Sequence, residues 1–209
     1  MESRLSAIQH RVLRVLAGFE PQWTLTGGGA LVGFHLGHRT TRDLDLFFHG
    51  QRVLDEIPER VAGHLRADGL DVSTERASPG YRRFVVQAGA ERTIMDLVAE
   101  PVPTAEPPTE LEPGLLVDTP HEILVNKLTA LLRRSALRDL VDVGALLAAG
   151  GDLERALHDA SLKDGGFSPP TLAWLLEQFP VEALAASHQR DAAPLVALRD
   201  HLVRRLLAP

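Results

Sequence analysis

"LTGGGALVGFHLGHRTTRDLDLFF", residues 25–48, decides how this chain is to be read. Asp43 and Asp45 stand in a run otherwise made of Leu44, Leu46, Phe47 and Phe48, which predicts a strand over 42–48. Side chains alternate along a strand, so the two carboxylates share one face, about 6–7 Å apart, and the two leucines take the other. Such a pair repels in any medium of low dielectric. Either it decorates a wet sheet face or it shares a divalent cation. Hard oxygen ligands select Mg²⁺ or Mn²⁺, and these ions also hold substrate phosphates.

Just upstream, "WTLT" (23–26) reads as a short strand, "GGGA" (27–30) as a glycine turn and residues 30–37 as a short helix ending at Gly37. Glycines in that place let backbone approach a ligand, and a helix start offers unpaired N–H groups to phosphate. A tight structural turn would look the same. The turn is not a dinucleotide fingerprint, because Val32 stands where the third glycine belongs, and it lacks the Gly-Lys-Ser/Thr end of a P-loop.

Downstream, apolar spacing predicts a helix over 51–67 and strands over 70–76, 81–88 and 92–99. Asp96 repeats the pattern of the first pair, a lone carboxylate between Ile94-Met95 and Leu97-Val98. If its strand neighbours 42–48, three carboxylates meet on one face; otherwise it is a solvated edge residue. Residues 101–114 carry five prolines and read as a linker or a surface loop, with a last short strand at 115–117. From Thr119 onward the pattern is helical, opened by a capping box of Thr119, Pro120 and Glu122. Helices are expected to Arg134 and over 136–148, 152–163, 170–178, 181–187 and 193–207. An amphipathic helix is also expected over 3–17. Trp23 and Trp174 are expected in the core, and His35, His49 and His64 show no ligand spacing.

Lys127 lies inside an apolar stripe, with Ile123 and Leu131 four residues to either side. A lysine there either snorkels to water or meets an anion. Only two of the 22 basic residues are lysines, Lys127 and Lys163, so the choice of a compact ammonium is noticeable. Arg138, Asp139 and Asp142 follow at intrahelical pairing distance.

Taken together, a Gly-Gly turn, a short helix and a hydrophobic-Asp-hydrophobic-Asp strand resemble the nucleotidyltransferases of the DNA polymerase β superfamily. More narrowly, Gly27, Gly28, Ala30, Leu31, His38, Arg39, Thr41, Asp43 and Asp45, followed by Lys127, Arg138, Asp139 and Asp142, resemble the AbiEii/AbiGii toxin family. One departure is Gly29, where the family usually has Thr or Ser able to bond a phosphate.

The resemblance implies an α/β fold. A polymerase-β-like core over 1–117, a mixed sheet flanked by helices, would precede a C-terminal helical bundle over 118–209. It implies metal-dependent transfer of a nucleotide from an NTP to an acceptor hydroxyl. Asp43, Asp45 and Asp96 would hold Mg²⁺ or Mn²⁺. Gly27, Gly28, Gly29, Arg39, Thr41 and Lys127 would contact the nucleotide, and Asp142 would act as a general base or as an orienter of Lys127. It further implies a type IV toxin with a cognate antitoxin and a tRNA acceptor. A small-molecule or protein acceptor, or a non-catalytic nucleotide- or antitoxin-binding module, are the rival readings.

The formal charge of −6 excludes a chain that is basic throughout, so any RNA contact must be local. There is no cysteine, which removes thiol nucleophiles and Cys-based zinc sites and accords with a cytoplasmic protein. No membrane span is expected.

Overall fold

The structure, a computed structural model, describes residues 3–134 and 136–208. The chain divides into two compact units, one ending at Thr119 and the other beginning at Pro120.

The first unit is built on a seven-stranded mixed sheet. In chain order it contains α1 (Ala7–Leu16), β1 (Thr24–Thr26), α2 (Gly27–Ala30), a π-helical turn (Leu31–His35) and β2 (Asp43–His49). There follow α3 (Ile57–Ala67), β3 (Asp71–Ser78), β4 (Tyr81–Ala88), β5 (Glu91–Glu100), β6 (Thr109–Glu112) and β7 (Leu115–Val117). The strand order is β3-β4-β5-β2-β1-β7-β6. β2 runs parallel to β5 and antiparallel to β1. It buries Leu44, Leu46 and Phe48 on one side and leaves Asp43, Asp45, Phe47 and His49 half-buried on the other. The alternation expected of residues 42–48 is therefore present.

α1 is fixed at its start by a capping box of Ser6 and Gln9, and its apolar positions Ile8, Val12, Leu13 and Leu16 are buried. Trp23 is buried as expected and donates its indole N–H to the Leu16 carbonyl at 2.9 Å.

Three elements differ from expectation. The helix expected over 51–67 begins only at Ile57, because Pro58 in its first turn has no N–H to continue a helix from upstream. The apolar spacing of Val53 and Leu54 belongs to a loop, where the Leu54 N–H bonds the Pro79 carbonyl at 2.7 Å. The Pro-rich stretch contains β6, which lies at the sheet edge, where a strand beside prolines is tolerated. The third concerns the glycines: the chain is helical from Gly27 itself rather than from residue 30, and then widens by one residue per turn over Leu31–His35.

The second unit contains α4 (Pro120–Arg133), α5 (Leu137–Ala148), α6 (Leu153–Lys163), α7 (Pro169–Glu177), α8 (Val181–Ser187) and α9 (Ala193–Leu206). Its caps follow the sequence: Asp152 accepts from the Arg155 N–H and Ser168 from the Thr171 N–H. Trp174 departs from expectation. It is 59% exposed on α7, whose buried positions are Leu172, Ala173 and Leu176. Among the described residues no helix is long and apolar enough to cross a membrane.

Candidate active site

The register of the sheet sets one row of side chains across four strands. Arg83 on β4 faces Asp96 on β5, Asp96 is level with Asp45 on β2, and Asp45 is level with Thr26 on β1. Level residues on paired strands point to the same face, with strands about 4.7–4.9 Å apart. The expectation that β2 and the Asp96 strand are neighbours is thus met, and Asp45 and Asp96 share a face.

The turn after β1 lies against this row. Gly27 has φ +61°, and a Cβ there would collide with Asp45 Oδ2. A Cβ on Gly28 would sit 2.8 Å from Arg39 Nη2 and 3.0 Å from Thr41 Oγ1. Neither position admits a side chain while those three groups stay where they are. Arg39, Thr41 and Asp45 are therefore packed directly over the glycine backbone. Thr41 Oγ1 donates to Asp43 Oδ1 at 2.6 Å, which orients that carboxylate. Arg39 is steadied by donating from Nη1 to the Thr40 carbonyl at 2.9 Å. The buried Thr26 hydroxyl has no hydrogen-bond partner.

Gly29 is different. Its missing side chain would point between Leu25 Cδ1 and Leu44 Cδ2, each 3.2 Å away, on the apolar side. The family hydroxyl expected at this position would meet leucines here rather than a phosphate. Gly29→Ser is accordingly expected to bind nucleotide no more tightly than the wild type. Its stability should fall by no more than about 1–2 kcal/mol, overpacking being partly offset by the better helix propensity of serine. Thermal melts and nucleotide titration of the variant check this; tighter binding would contradict it.

Asp96 is 5% exposed and is already partnered. Arg83 grips it with both arms, Nε to Oδ1 and Nη2 to Oδ2, each at 2.7 Å. The Tyr81 hydroxyl donates to Oδ1 at 2.8 Å. Arg83 and Tyr81 were not singled out from the sequence. The available signal was their alternation on one predicted strand, which places 81 and 83 on a common face. The ion pair raises the Arg83 pKa, chiefly through its hydrogen bonds to Asp96. The Tyr81 hydroxyl is pushed up to about 12 by burial first and by the neighbouring carboxylate second.

A pKa raised above its unfolded value favours the protonated folded form. The resulting stability is whole below pH 10 and is lost as pH rises toward 12. Tyr81 is the chain's sole tyrosine, so its near-ultraviolet absorbance reports this titration directly. The tyrosinate band is expected to rise near pH 12 in the folded protein and near pH 10 after denaturation. A folded-state midpoint at the ordinary value would contradict the Asp96 contact.

Among the described residues no three His, Cys, Asp or Glu side chains gather closely enough to hold a metal ion.

In the second unit Lys127 is 6% exposed. Its ammonium meets Asp139 Oδ1 at 2.7 Å and Asp142 Oδ2 at 2.8 Å, and both aspartates are fully buried. Arg134 Nε completes the cluster at 2.9 Å from Asp139 Oδ2. The lysine is thus set between two buried carboxylates, and two of its three ammonium hydrogens are committed. Lys163 has a similar setting: it pairs with buried Glu122 and donates to Asn126 Oδ1 at 2.7 Å. The Glu122 carboxylate accepts from Lys163, and the Thr119 hydroxyl donates to Glu106 Oε2 at 2.6 Å.

With this geometry in hand, the chain was compared with known proteins. The family model described as "Nucleotidyl transferase AbiEii toxin, Type IV TA system" matches residues 11–208. The chain belongs to that AbiEii family. It is a nucleotidyltransferase toxin of a toxin–antitoxin system, as the resemblance of the glycine turn and Asp-x-Asp strand implied. Comparison with curated proteins finds no match. Among solved structures, MenT4, the nucleotidyltransferase toxin Rv2826c from Mycobacterium tuberculosis H37Rv, is 20% identical. The alignment covers 96% of this chain and 80% of that one, with a TM-score of 0.63. JHP933 from Helicobacter pylori is 19% identical over 97% of this chain and 94% of that one, with a TM-score of 0.56. At these identities the likeness is one of fold, and it covers nearly the whole chain.

Proposed function

We propose that this AbiEii protein transfers a nucleotide from an NTP to an acceptor hydroxyl on tRNA, using a divalent cation held by Asp43 and Asp45. The observation that carries this is the packing of Arg39, Thr41 and Asp45 over a turn whose glycines admit no side chain. Two carboxylates on one face beside a glycine turn are a donor set that suits Mg²⁺ or Mn²⁺. When bound, such an ion supplies Lewis-acid stabilisation to the phosphoryl oxygens.

The chain's own residues do the rest. Gly27, Gly28 and Gly29 bring backbone close to the triphosphate, and Arg39 adds a planar cation able to bind two phosphate oxygens at once. Thr41 keeps Asp43 aimed. The acceptor oxygen attacks the α-phosphorus as its proton passes to a carboxylate of this face. The bond from the α-phosphorus to the bridging oxygen breaks, and pyrophosphate leaves with the electron pair. We assign Lys127 to the charge that develops on the phosphates, with Asp142 as its orienter. Their support is the family motif and the buried carboxylates that hold the lysine. Asp96 is the third carboxylate of the proposed site, gripped by Arg83.

The reaction is placed in the cytoplasm, where NTPs and tRNA are found, with the antitoxin as a protein partner.

Incubation with each of the four NTPs labelled at the α-phosphate, with Mg²⁺ and total tRNA, tests the proposal. Label is expected in RNA with one preferred NTP. Label in protein or a small molecule instead would keep the chemistry and overturn the acceptor.

A further inference from the structure

The row Arg83–Asp96–Asp45–Thr26 alternates in a way that a three-carboxylate metal site does not require. A site built to receive a cation would leave its third carboxylate turned to the other two. Here Asp96 is turned to a guanidinium. An ionised carboxylate has about four lone-pair positions. On Asp96, Oδ1 accepts from Arg83 Nε and from Tyr81, and Oδ2 accepts from Arg83 Nη2. Three positions are thus taken, and the fork of Arg83 covers the edge at which a cation would be chelated through both oxygens. Burial makes the arrangement costly to undo. The carboxyl side chain is 8% exposed and the guanidinium 24% exposed, so a departing Arg83 would leave an uncompensated charge. Other held carboxylates of this unit, such as Asp68 with Arg11, are far more exposed.

We infer that Arg83 competes with the divalent cation for Asp96, so that metal is held through Asp43 and Asp45 while Arg83 keeps Asp96 as its own partner. This rests on the metal site proposed above. Arg83 is a positioning residue: it touches neither nucleotide nor metal in this reading and acts through Asp96. Its effect is to keep metal affinity low in the absence of nucleotide, because two carboxylates rather than three face the ion and a fixed positive charge lies one strand beyond. The triphosphate, which brings its own oxygen ligands, then completes the shell. A free ion alone binds weakly, and an ion arriving with NTP binds well.

The test is Mn²⁺ binding to the full chain without nucleotide, counted by electron paramagnetic resonance of the free ion. Asp45→Asn should weaken binding by about tenfold or more, since charge count sets affinity at oxygen sites. Asp96→Asn should stay within about twofold of wild type. Arg83→Met should bind about tenfold more tightly, as a released third carboxylate joins the set. Arg83→Met/Asp96→Asn should return to the wild-type value. A folded Arg83→Met with unchanged or weaker binding overturns the inference. So does a tenfold loss in Asp96→Asn, which decides the matter even if Arg83→Met does not fold. Mn²⁺ binding that is insensitive to Asp45 fails differently: it removes the proposed metal site itself, and this inference with it.

Discussion

Asp45→Asn is expected to slow nucleotide transfer by about three orders of magnitude, because metal stabilisation is worth several kcal/mol at about 1.4 kcal/mol per tenfold. The variant should still fold. Asp45 is half-buried beside Gly27 and level with Asp96, and the amide keeps its shape while removing one charge from a crowded face. Melting temperature and single-turnover rate, measured on the same preparation, separate the two effects. Full activity in a folded Asp45→Asn would move the chemistry away from β2.

The second large effect is on stability. Lys127→Met is expected to cost about 3–5 kcal/mol, the usual consequence of removing one partner from a buried ion pair. Asp139 and Asp142, both fully buried, would each lose the ammonium they face. Lys127→Arg should recover only part of the loss, because a planar guanidinium cannot replace a compact ammonium held at 2.7 and 2.8 Å between two aspartates. Lys127→Met/Asp142→Asn should be more stable than Lys127→Met alone, since one of the two buried carboxylates that faced the lysine is then neutral. Chemical denaturation of the four proteins checks the set. A Lys127→Met as stable as wild type would contradict the cluster.

This bears on how the lysines were read. The phosphate reading of Lys127 rests mainly on the family motif and on its place in an apolar stripe, with lysine scarcity a minor signal. Lys163, the chain's other lysine, is half-buried and likewise pairs with a buried acid, Glu122. An ion pair with a buried acid is common to both lysines, so the functional assignment of Lys127 leans on the family motif.

Much of the site was legible along β2. Period-two alternation put Asp43 and Asp45 on one face, and that face is where the structure has them. The neighbouring strand was legible only conditionally, because no local pattern sets which strands pair; the β2–β5 register is a property of the whole sheet. Arg83 and Tyr81 escaped notice for the same reason. Their partner is 13 and 15 residues away, and nothing in "YRRFVVQA" names it. The direction of position 29 was not legible, because a glycine shows no side-chain direction; the helical start at Gly27 turns it toward Leu25 and Leu44. Helix α3 was overextended because Val53 and Leu54 keep the apolar rhythm up to a proline that ends it. Trp174 was assigned to the core on size alone, and helix α7 turns it to solvent.

The most direct measurement follows two labels through one reaction. The protein is incubated with its preferred NTP labelled either at the α- or at the γ-phosphate, with Mg²⁺ and tRNA. Nucleotidyl transfer puts the α-label on the acceptor and leaves the γ-label in pyrophosphate. Asp45→Asn should do neither. Transfer of the γ-label to the acceptor, or no transfer of the α-label to any acceptor with any of the four NTPs, would contradict the assignment of this face as a nucleotidyl-transfer site.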